Sequence, residues 1–151
     1  MKYYAGIGSR LIDARSALLL KEAARYLSAC GYRLRSGHAD GSIAEAAHPV
    51  WRFLKPGAKK LHMRNVHQVL GDSSDRTPSE FVLCWTPEAK GQGGTAEAIT
   101  IARFHNIPVY DVASDVVRNV VAGLILEAID ATLLFPAILE RRLRGEPAYS
   151  N

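Results

Sequence analysis

The stretch EFVLCWTPEAKGQGGTAEAI, residues 80–99, decides the fold class of this chain. Its first six residues are mostly apolar and are typical of a buried strand. Three glycines lie within the next nine residues, and residues 95–105 then follow the spacing of a helix. A strand that passes through a glycine-rich loop into a helix is typical of an α/β fold, in which helices connect parallel strands.

Three further segments have strand patterns, which brings the predicted strands to four. They are residues 2–7, 32–36 and 107–112, where apolar residues alternate or run on. Each right-handed crossover between parallel strands places a helix on the sheet. We therefore predict an α/β fold with a Rossmann-like, mostly parallel sheet of four to five strands and helices on both faces.

Helix signals separate the predicted strands. Asp13 can accept hydrogen bonds from the first turn of a helix that Gly31 ends. Pro56 fits the first turn of a second helix, which runs to Leu70 and stops at Gly71. The order of strand and helix along the chain is therefore regular.

The bulk composition is that of a folded domain with a weak preference for an anionic partner. The hydrophobic content of 48% disfavours disorder, and the net charge of +4 is small for 151 residues. We predict a Rossmann-like core over residues 1–113. C-terminal helices over residues 114–151 then pack on that core or at a subunit interface.

The most apolar stretch, residues 119–139, is long enough to raise the question of a membrane span. Glu127 and Asp130 argue against it, because they fall on a helical stripe among apolar residues. We predict a helix of the core or of a subunit interface, which Pro136 ends or kinks. The basic segment that follows is expected to be a solvated helix end with cations near its C-terminus.

Cysteine and histidine positions favour a protein without a metal centre in a reducing compartment. Cys30 and Cys84 stand in apolar surroundings without metal-ligand spacing, and we expect buried thiols. His62 and His67 are five residues apart and do not share a helix face. We expect no cofactor and no metal. Since the first residues do not resemble a secretion signal, we expect a cytoplasmic protein, and we expect no membrane association.

Three glycine-bearing loops follow the first three predicted strands. Their sequences are GIGSR, SGHADGS and KGQGGT, and none has the P-loop or the G-x-G-x-x-G pattern. Ligands of parallel sheets gather at the carboxyl ends of the strands, so we expect the loops to meet at one edge. Gly93, Gly94 and Thr95 could present main-chain N–H groups and a helix N-terminus to an anion. For any single loop, a tight turn without a ligand is the alternative.

Charged and polar side chains near these loops are candidates for ligand contacts. Arg10 follows the first loop, and Arg64 lies between Lys60 and His67 on a cationic stripe that could also face solvent. Asn65 adds a donor and an acceptor beside Arg64. Asp40 could bond a ribose hydroxyl or cap the amides of its own loop.

Glu97 is the acidic residue of most interest. With Gly94 as N-cap it would occupy the third helical position, where the helix dipole stabilises a carboxylate without any function. It would also repel a phosphate bound there, so a site containing both must direct Glu97 toward a sugar or base. That is where a general acid or base would serve in glycosidic cleavage.

An ordered set of motifs resembles the SLOG superfamily, which joins the DNA-processing protein DprA/Smf to the LOG phosphoribohydrolases. The motifs are YAGIGSR, RSGHADGS, KLHMRNVHQVLG, PSEFVLCWTP and GGTAEAI, which span about residues 3–111. The chain is most similar to small stand-alone DprA-like proteins of phage and bacterial genomes. The resemblance implies a Rossmann-like sheet that binds nucleotides, nucleotide-derived signals or single-stranded DNA.

The resemblance also implies which residues bind the ligand. Together with the candidates above, they are Gly8, Ser9, Arg10, Ser36, Gly37, Asp40, Gly41, Arg64, Asn65, Gly93, Gly94 and Thr95. The LOG enzymes have lysine where Asn65 stands, and their catalytic glutamate comes three residues after the threonine, where this chain has Ala98. Glu97 is one residue early, a shift of about 100° around the helix.

We therefore predict binding of a nucleotide or nucleotide-derived ligand by this domain. Single-stranded DNA binding of the DprA type is the first alternative. A nucleoside-monophosphate phosphoribohydrolase, with Glu97 and Arg64 as its catalytic residues, is the second. A homo-oligomer, most simply a homodimer, is expected from the apolar C-terminal helix.

Overall fold

The computed structural model describes residues 1–35, 53, 55–71, 77–90, 95–127 and 135–147. Its four strands are β1 (Lys2–Gly8), β2 (Tyr32–Arg35), β3 (Val82–Trp85) and β4 (Val109–Asp111). They form one sheet in the order β2-β1-β3-β4, and every neighbouring pair is parallel. The predicted α/β, Rossmann-like fold is confirmed, with four parallel strands among the described residues.

Five α-helices accompany the sheet in the described part of the chain. They are α1 (Ala14–Ala29), α2 (Pro56–Leu70), α3 (Ala96–Phe104), α4 (Asp115–Leu126) and α5 (Phe135–Leu143). A short 3-10 helix (Pro87–Ala89) follows β3.

Local signals explain the ends of α1 and α2, as predicted. The backbone N–H of Ser16 donates to Asp13 Oδ1 over 2.8 Å, which satisfies one of the free donors at the start of α1. Gly31 and Gly71 follow the two helices with φ angles of 80° and 87°, which residues with a Cβ rarely adopt. Pro56 begins α2, where its missing N–H costs no hydrogen bond.

The prediction for Pro136 is wrong. Helix α4 already ends at Leu126, and Pro136 lies in the first turn of the separate helix α5, a position that proline favours. Arg142 of α5 donates to Glu127 over 2.6 Å and so joins the two helices. Arg141 and Arg142 occupy the last turn of α5, as expected for cations near a helix C-terminus.

Alternate residues of the strands point to opposite faces of the sheet, and the two faces have different cores. Large side chains fill the face covered by α1, α4 and α5, which we call the aromatic face. Its central residues are Tyr4, Tyr32, Phe81, Leu83 and Tyr110. Smaller ones fill the face covered by α2 and α3, which we call the small-residue face. Its central residues are Ala5, Val82, Cys84, Ala98 and Ala102.

The two cysteines are buried free thiols, as predicted. None of the helices in the described ranges combines the length and the apolar character that crossing a bilayer requires.

Candidate functional site

A cavity of 580 Å³ opens at the carboxyl end of β1 and is bordered by α2 and the start of α3. From β1 the chain builds β2 on one side and later β3 on the other, so the strand order changes direction between β1 and β3. In parallel α/β sheets the crevice at such a switch point is where ligands bind. The cavity is lined by Ile7, Gly8, Ser9, Arg10, Leu61, Arg64, Asn65, Gln68 and Thr95.

Every predicted ligand-binding residue that the structure describes lines this cavity. Gly8 is the last residue of β1, and Ser9 and Arg10 follow it. Arg64 and Asn65 come from α2, and Thr95 comes from the start of α3. The other candidates, Ser36, Gly37, Asp40, Gly41, Gly93 and Gly94, lie outside the described residues. The first predicted loop and Thr95, the last residue of the third, therefore border one cavity, and ligand binding by these residues stays a prediction.

The wall of the cavity is electropositive. Arg10 and Arg64 are both exposed to solvent, and no acidic residue occurs among the described residues that line the cavity. Of the cationic stripe on α2, Arg64 is the member that contributes to this wall, whereas Lys60 and His67 are not among the lining residues. Guanidinium groups bind carboxylates and phosphates through paired hydrogen bonds, so the wall suits an anion.

Thr95 adds the N-terminus of α3 to the wall. It is the N-cap of the helix, although its own side chain caps no backbone N–H. The sequence predicts Gly94 as the N-cap, whereas the structure assigns the cap to Thr95, whose φ and ψ of −84° and −24° are already helical. The unpaired N–H groups of the first turn favour negative charge at this end of the cavity.

The backbone after β1 is open to the cavity at Gly8. A Cβ placed on Gly8 would meet no atom of the described residues within 4 Å, whereas one placed on Gly6 would come within 2.6 Å of Leu34 Cδ1, so that the Leu34 side chain would have to move. The described packing thus gives no reason for a glycine at position 8. Ser9 Oγ accepts a hydrogen bond from the N–H of Leu11 over 3.2 Å, which shapes the turn and leaves its hydroxyl hydrogen able to donate.

Glu97 is bound to α2 and is not among the residues that line the cavity. With Thr95 as N-cap it occupies the second helical position instead of the predicted third. One carboxylate oxygen contacts Nδ1 of His62, and the other accepts a hydrogen bond from Asn65 Nδ2 over 2.7 Å. His62 is buried and Glu97 is one-third exposed. The contacts join α2 to α3 and fix the side chain of Asn65.

Sequence reasoning missed two residues of this region. His62 was considered only as a metal ligand, and its contact with Glu97 spans 35 positions, for which the local sequence carries no signal. Gln68 lies within the motif KLHMRNVHQVLG but is not among the predicted ligand-binding residues, yet it lines the cavity. It stands seven residues after Leu61 and three after Asn65, the spacing of one helix face, and this spacing could have identified it.

A second polar cluster lies at the carboxyl ends of β3 and β4. Asp111 accepts a hydrogen bond from the N–H of Thr86 over 3.1 Å, contacts its hydroxyl, and accepts another from the N–H of Ala113 over 3.0 Å. Burial raises the pKa of the neighbouring Cys84 thiol, and the charge of Asp111 raises it further. Asp111 therefore closes the turn after β4, and Cys84 is an inert thiol.

No group of three histidine, cysteine, aspartate or glutamate side chains that could hold a metal ion occurs in the described part of the chain. Comparisons with protein-family models, curated proteins and solved structures found no significant match.

Proposed function

We propose that this domain binds a nucleotide or a nucleotide-derived anion in the cavity at the switch point of the sheet. The observation that carries the proposal is the meeting of the β1 loop, the exposed arginines of two elements and the start of α3 around one cavity. A volume of 580 Å³ lies within the range of small-molecule sites. The resemblance of the loop motifs to the SLOG superfamily points to the same class of ligand.

The phosphate of the ligand is assigned to the electropositive wall. Arg10 and Arg64 can each form charge-assisted hydrogen bonds with it. Thr95 and the first turn of α3 offer a positive dipole end, and Gly8 lets the phosphate approach the main chain. Hydrogen bonds to charged groups contribute about 1.5–3 kcal/mol each, which is enough for micromolar binding when several act together.

Hydrolysis of an N-glycosidic bond is the second candidate, and the contact between Glu97 and His62 favours it, since a histidine can orient a catalytic carboxylate. Three observations support binding over hydrolysis. Both oxygens of Glu97 already have partners, Glu97 is not among the lining residues, and Ala98 stands where the LOG enzymes resembling this chain have glutamate.

Single-stranded DNA binding needs exposed aromatic rings beside a basic track. Tyr4 is buried against Phe81, and the ring of Tyr3 lies 4.1 Å from Arg35 Cζ. Trp85 is half-buried and packs against the aromatic face, and Trp51 lies outside the described residues. The packing of these rings supports a small ligand over a DNA strand.

A homodimer through α1 and α4 is part of the proposal. Leu18, Val116 and Leu126 of these helices are exposed large apolar side chains, and a shallow groove of 290 Å³ lies between the two helices. A second copy could cover this surface through an isologous contact. Sedimentation equilibrium tests it, and a monomer across the micromolar range would refute it.

The function itself is tested by two measurements on the wild-type chain. A thermal-shift panel of nucleoside mono-, di- and triphosphates should raise the melting temperature at millimolar ligand, because ligand binding stabilises the folded state by mass action. Fluorescence anisotropy with a labelled oligonucleotide tests for DNA binding. It is repeated at several salt concentrations, because the affinity for DNA falls steeply with salt.

The outcomes separate the candidates. No thermal shift with any nucleotide, together with oligonucleotide binding, would replace the proposal by the DNA alternative. Release of free base from a nucleoside monophosphate, and its loss in Glu97→Gln, would establish the hydrolase instead.

A further inference from the structure

Two carboxamide side chains, those of Asn65 and Gln68, lie side by side on the cavity wall. They stand three residues apart on α2 and so share one helix face. Both residues are only 3% exposed. A buried polar group is costly unless it finds a hydrogen-bond partner, so each of the two needs an explanation.

The partner of Asn65 is Glu97. Its Nδ2 donates to Glu97 Oε2 over 2.7 Å, and a carboxylate oxygen can only accept, so the nitrogen of the amide must face Glu97. The contact of His62 with the other oxygen of Glu97 holds the carboxylate in place. This arrangement leaves the Oδ1 of Asn65 as a fixed acceptor beside the cavity.

Gln68 has no such partner. Its backbone oxygen accepts a hydrogen bond from Ser79 Oγ over 2.7 Å, whereas its carboxamide makes no hydrogen bond with a described residue and is open to the cavity. The side chain therefore holds two donors and an acceptor unused on the wall of a cavity.

Helix α2 presents a charged side chain, Arg64, and a neutral polar one, Gln68, at different positions along the cavity. Arg64 is exposed, whereas Gln68 lies four residues further along the helix, about 6 Å along its axis, and is buried. A ligand with an anionic end at Arg64 would thus bring an uncharged part to the two carboxamides. Paired carboxamide hydrogen bonds suit the edge of a nucleobase, which presents donors and acceptors side by side.

We propose that Gln68 determines the specificity of the site by hydrogen bonding to the edge of the nucleobase, with Asn65 Oδ1 as a fixed acceptor beside it. The inference rests on the proposed nucleotide binding and adds the group that distinguishes a nucleotide from a sugar phosphate. Glu97 is then a positioning residue, which orients Asn65 through a hydrogen bond.

The test compares nucleotides with a ligand that lacks the base. Isothermal titration would measure AMP, GMP, CMP, UMP and ribose 5-phosphate against the wild type, Gln68→Met, Gln68→Glu and the control Thr100→Met. Methionine matches the shape of glutamine without its hydrogen bonds. Thr100 is exposed on α3 and is not a lining residue, so it controls for the change of a neutral polar residue to methionine.

The preferred nucleotide should bind the wild type about tenfold or more tightly than ribose 5-phosphate. In Gln68→Met its affinity should fall about five- to tenfold, the loss of one or two neutral hydrogen bonds, while ribose 5-phosphate binds as before. Gln68→Glu should change the rank order of the four nucleotides, because a carboxylate accepts but does not donate. Thr100→Met should behave as the wild type.

Three results would overturn the inference. If nucleotides and ribose 5-phosphate weaken equally in Gln68→Met, the residue has a structural role only. If the rank order of the nucleotides survives in Gln68→Glu, the base is not read at this position. If the wild type binds ribose 5-phosphate as tightly as every nucleotide, the protein binds the phosphate but does not recognise the base. If the wild type binds none of these ligands, the proposed function is refuted as well.

Discussion

The two faces of the sheet are covered by helices in different ways. On the aromatic face, Phe81 is fully buried, and its ring lies 5.5–5.9 Å from those of Tyr32, Tyr4 and Tyr110. On the small-residue face, alanine, valine and cysteine let α2 and α3 approach closely. Buried polar side chains of α2, namely His62, Asn65 and Gln68, stand on that side.

This difference indicates that one face mainly provides stability and the other positions polar side chains. Aromatic rings bury large apolar areas and pair in defined geometries, which makes the aromatic face the main source of stability. Helices that pack closely through small residues leave little apolar area to bury, but they bring polar side chains of two helices within contact distance. The cavity lies at the edge of this second face.

The largest expected effect is on stability and comes from the aromatic face. Phe81→Ala should lower the free energy of unfolding by about 3–5 kcal/mol, because it removes a buried ring and leaves a cavity. Urea denaturation measures the loss. Phe104→Ala is the matched control, since Phe104 is 81% exposed and should cost less than about 0.5 kcal/mol. Equal losses in both variants would contradict the comparison.

The next effect is on binding and comes from the cavity. Arg10→Ala and Arg64→Ala should each weaken nucleotide binding about 10- to 100-fold, through the loss of charge-assisted hydrogen bonds to the phosphate. Stability should change little, because both side chains are exposed. Titration calorimetry measures the affinities, with the exposed Arg25→Ala as a control for net charge. A similar loss of affinity in Arg25→Ala would mean that the net charge of the protein, and not a specific site, determines nucleotide binding.

Glu97→Ala tests the polar connection between α2 and α3. It removes the acceptor of Asn65 Nδ2 and the contact of His62 Nδ1 in a buried position, which should cost about 1–3 kcal/mol of stability. The control is Glu88→Ala, whose exposed ion pair with Lys90 should contribute less than about 1 kcal/mol. Thermal or urea unfolding measures both, and an equal cost would show that the contacts of Glu97 contribute no more than a surface pair.

The smallest effect is a loss of stability in alkali. Burial raises the pKa of Cys84 above its ordinary 9.0 and that of Tyr110 above its ordinary 10.0. The unfolded chain therefore releases these protons first as the pH rises, and the free energy of unfolding falls above about pH 9. Urea unfolding between pH 8 and pH 10.5 should follow this decline, and Cys84→Ala should remove the part that begins near pH 9. A flat profile in the wild type would contradict the burial of these groups.

The sequence predicted those parts of the molecule that depend on neighbours in the chain. Pro56 and Gly71 bound α2 as expected, because a proline at the start and a glycine with positive φ at the end act locally. The loop and helix residues that meet at the cavity followed from the rule that parallel strands share a carboxyl edge.

What could not be predicted depends on contacts between distant residues. The attachment of Glu97 to His62 and Asn65 depends on how α2 and α3 pack, and no spacing within either helix reveals it. Pro136 was misplaced because a proline is equally compatible with the end of one helix and the first turn of the next. The spacing on α2 puts Gln68 on the same helix face as Asn65, but its burial at the cavity depends on how α2 lies over the sheet.

The central claim is that the main chain after β1 faces a bound anion, and Gly8 tests it most directly. Titration of the preferred nucleotide into the wild type, Gly8→Ala and Gly8→Val measures how closely the ligand approaches the backbone. Since a Cβ at this position meets no atom of the described residues within 4 Å, Gly8→Ala should melt at the wild-type temperature, and the melting temperature of Gly8→Val shows whether that variant is folded. The account predicts affinities that fall from glycine to alanine to valine, and unchanged binding by a folded Gly8→Val would contradict it.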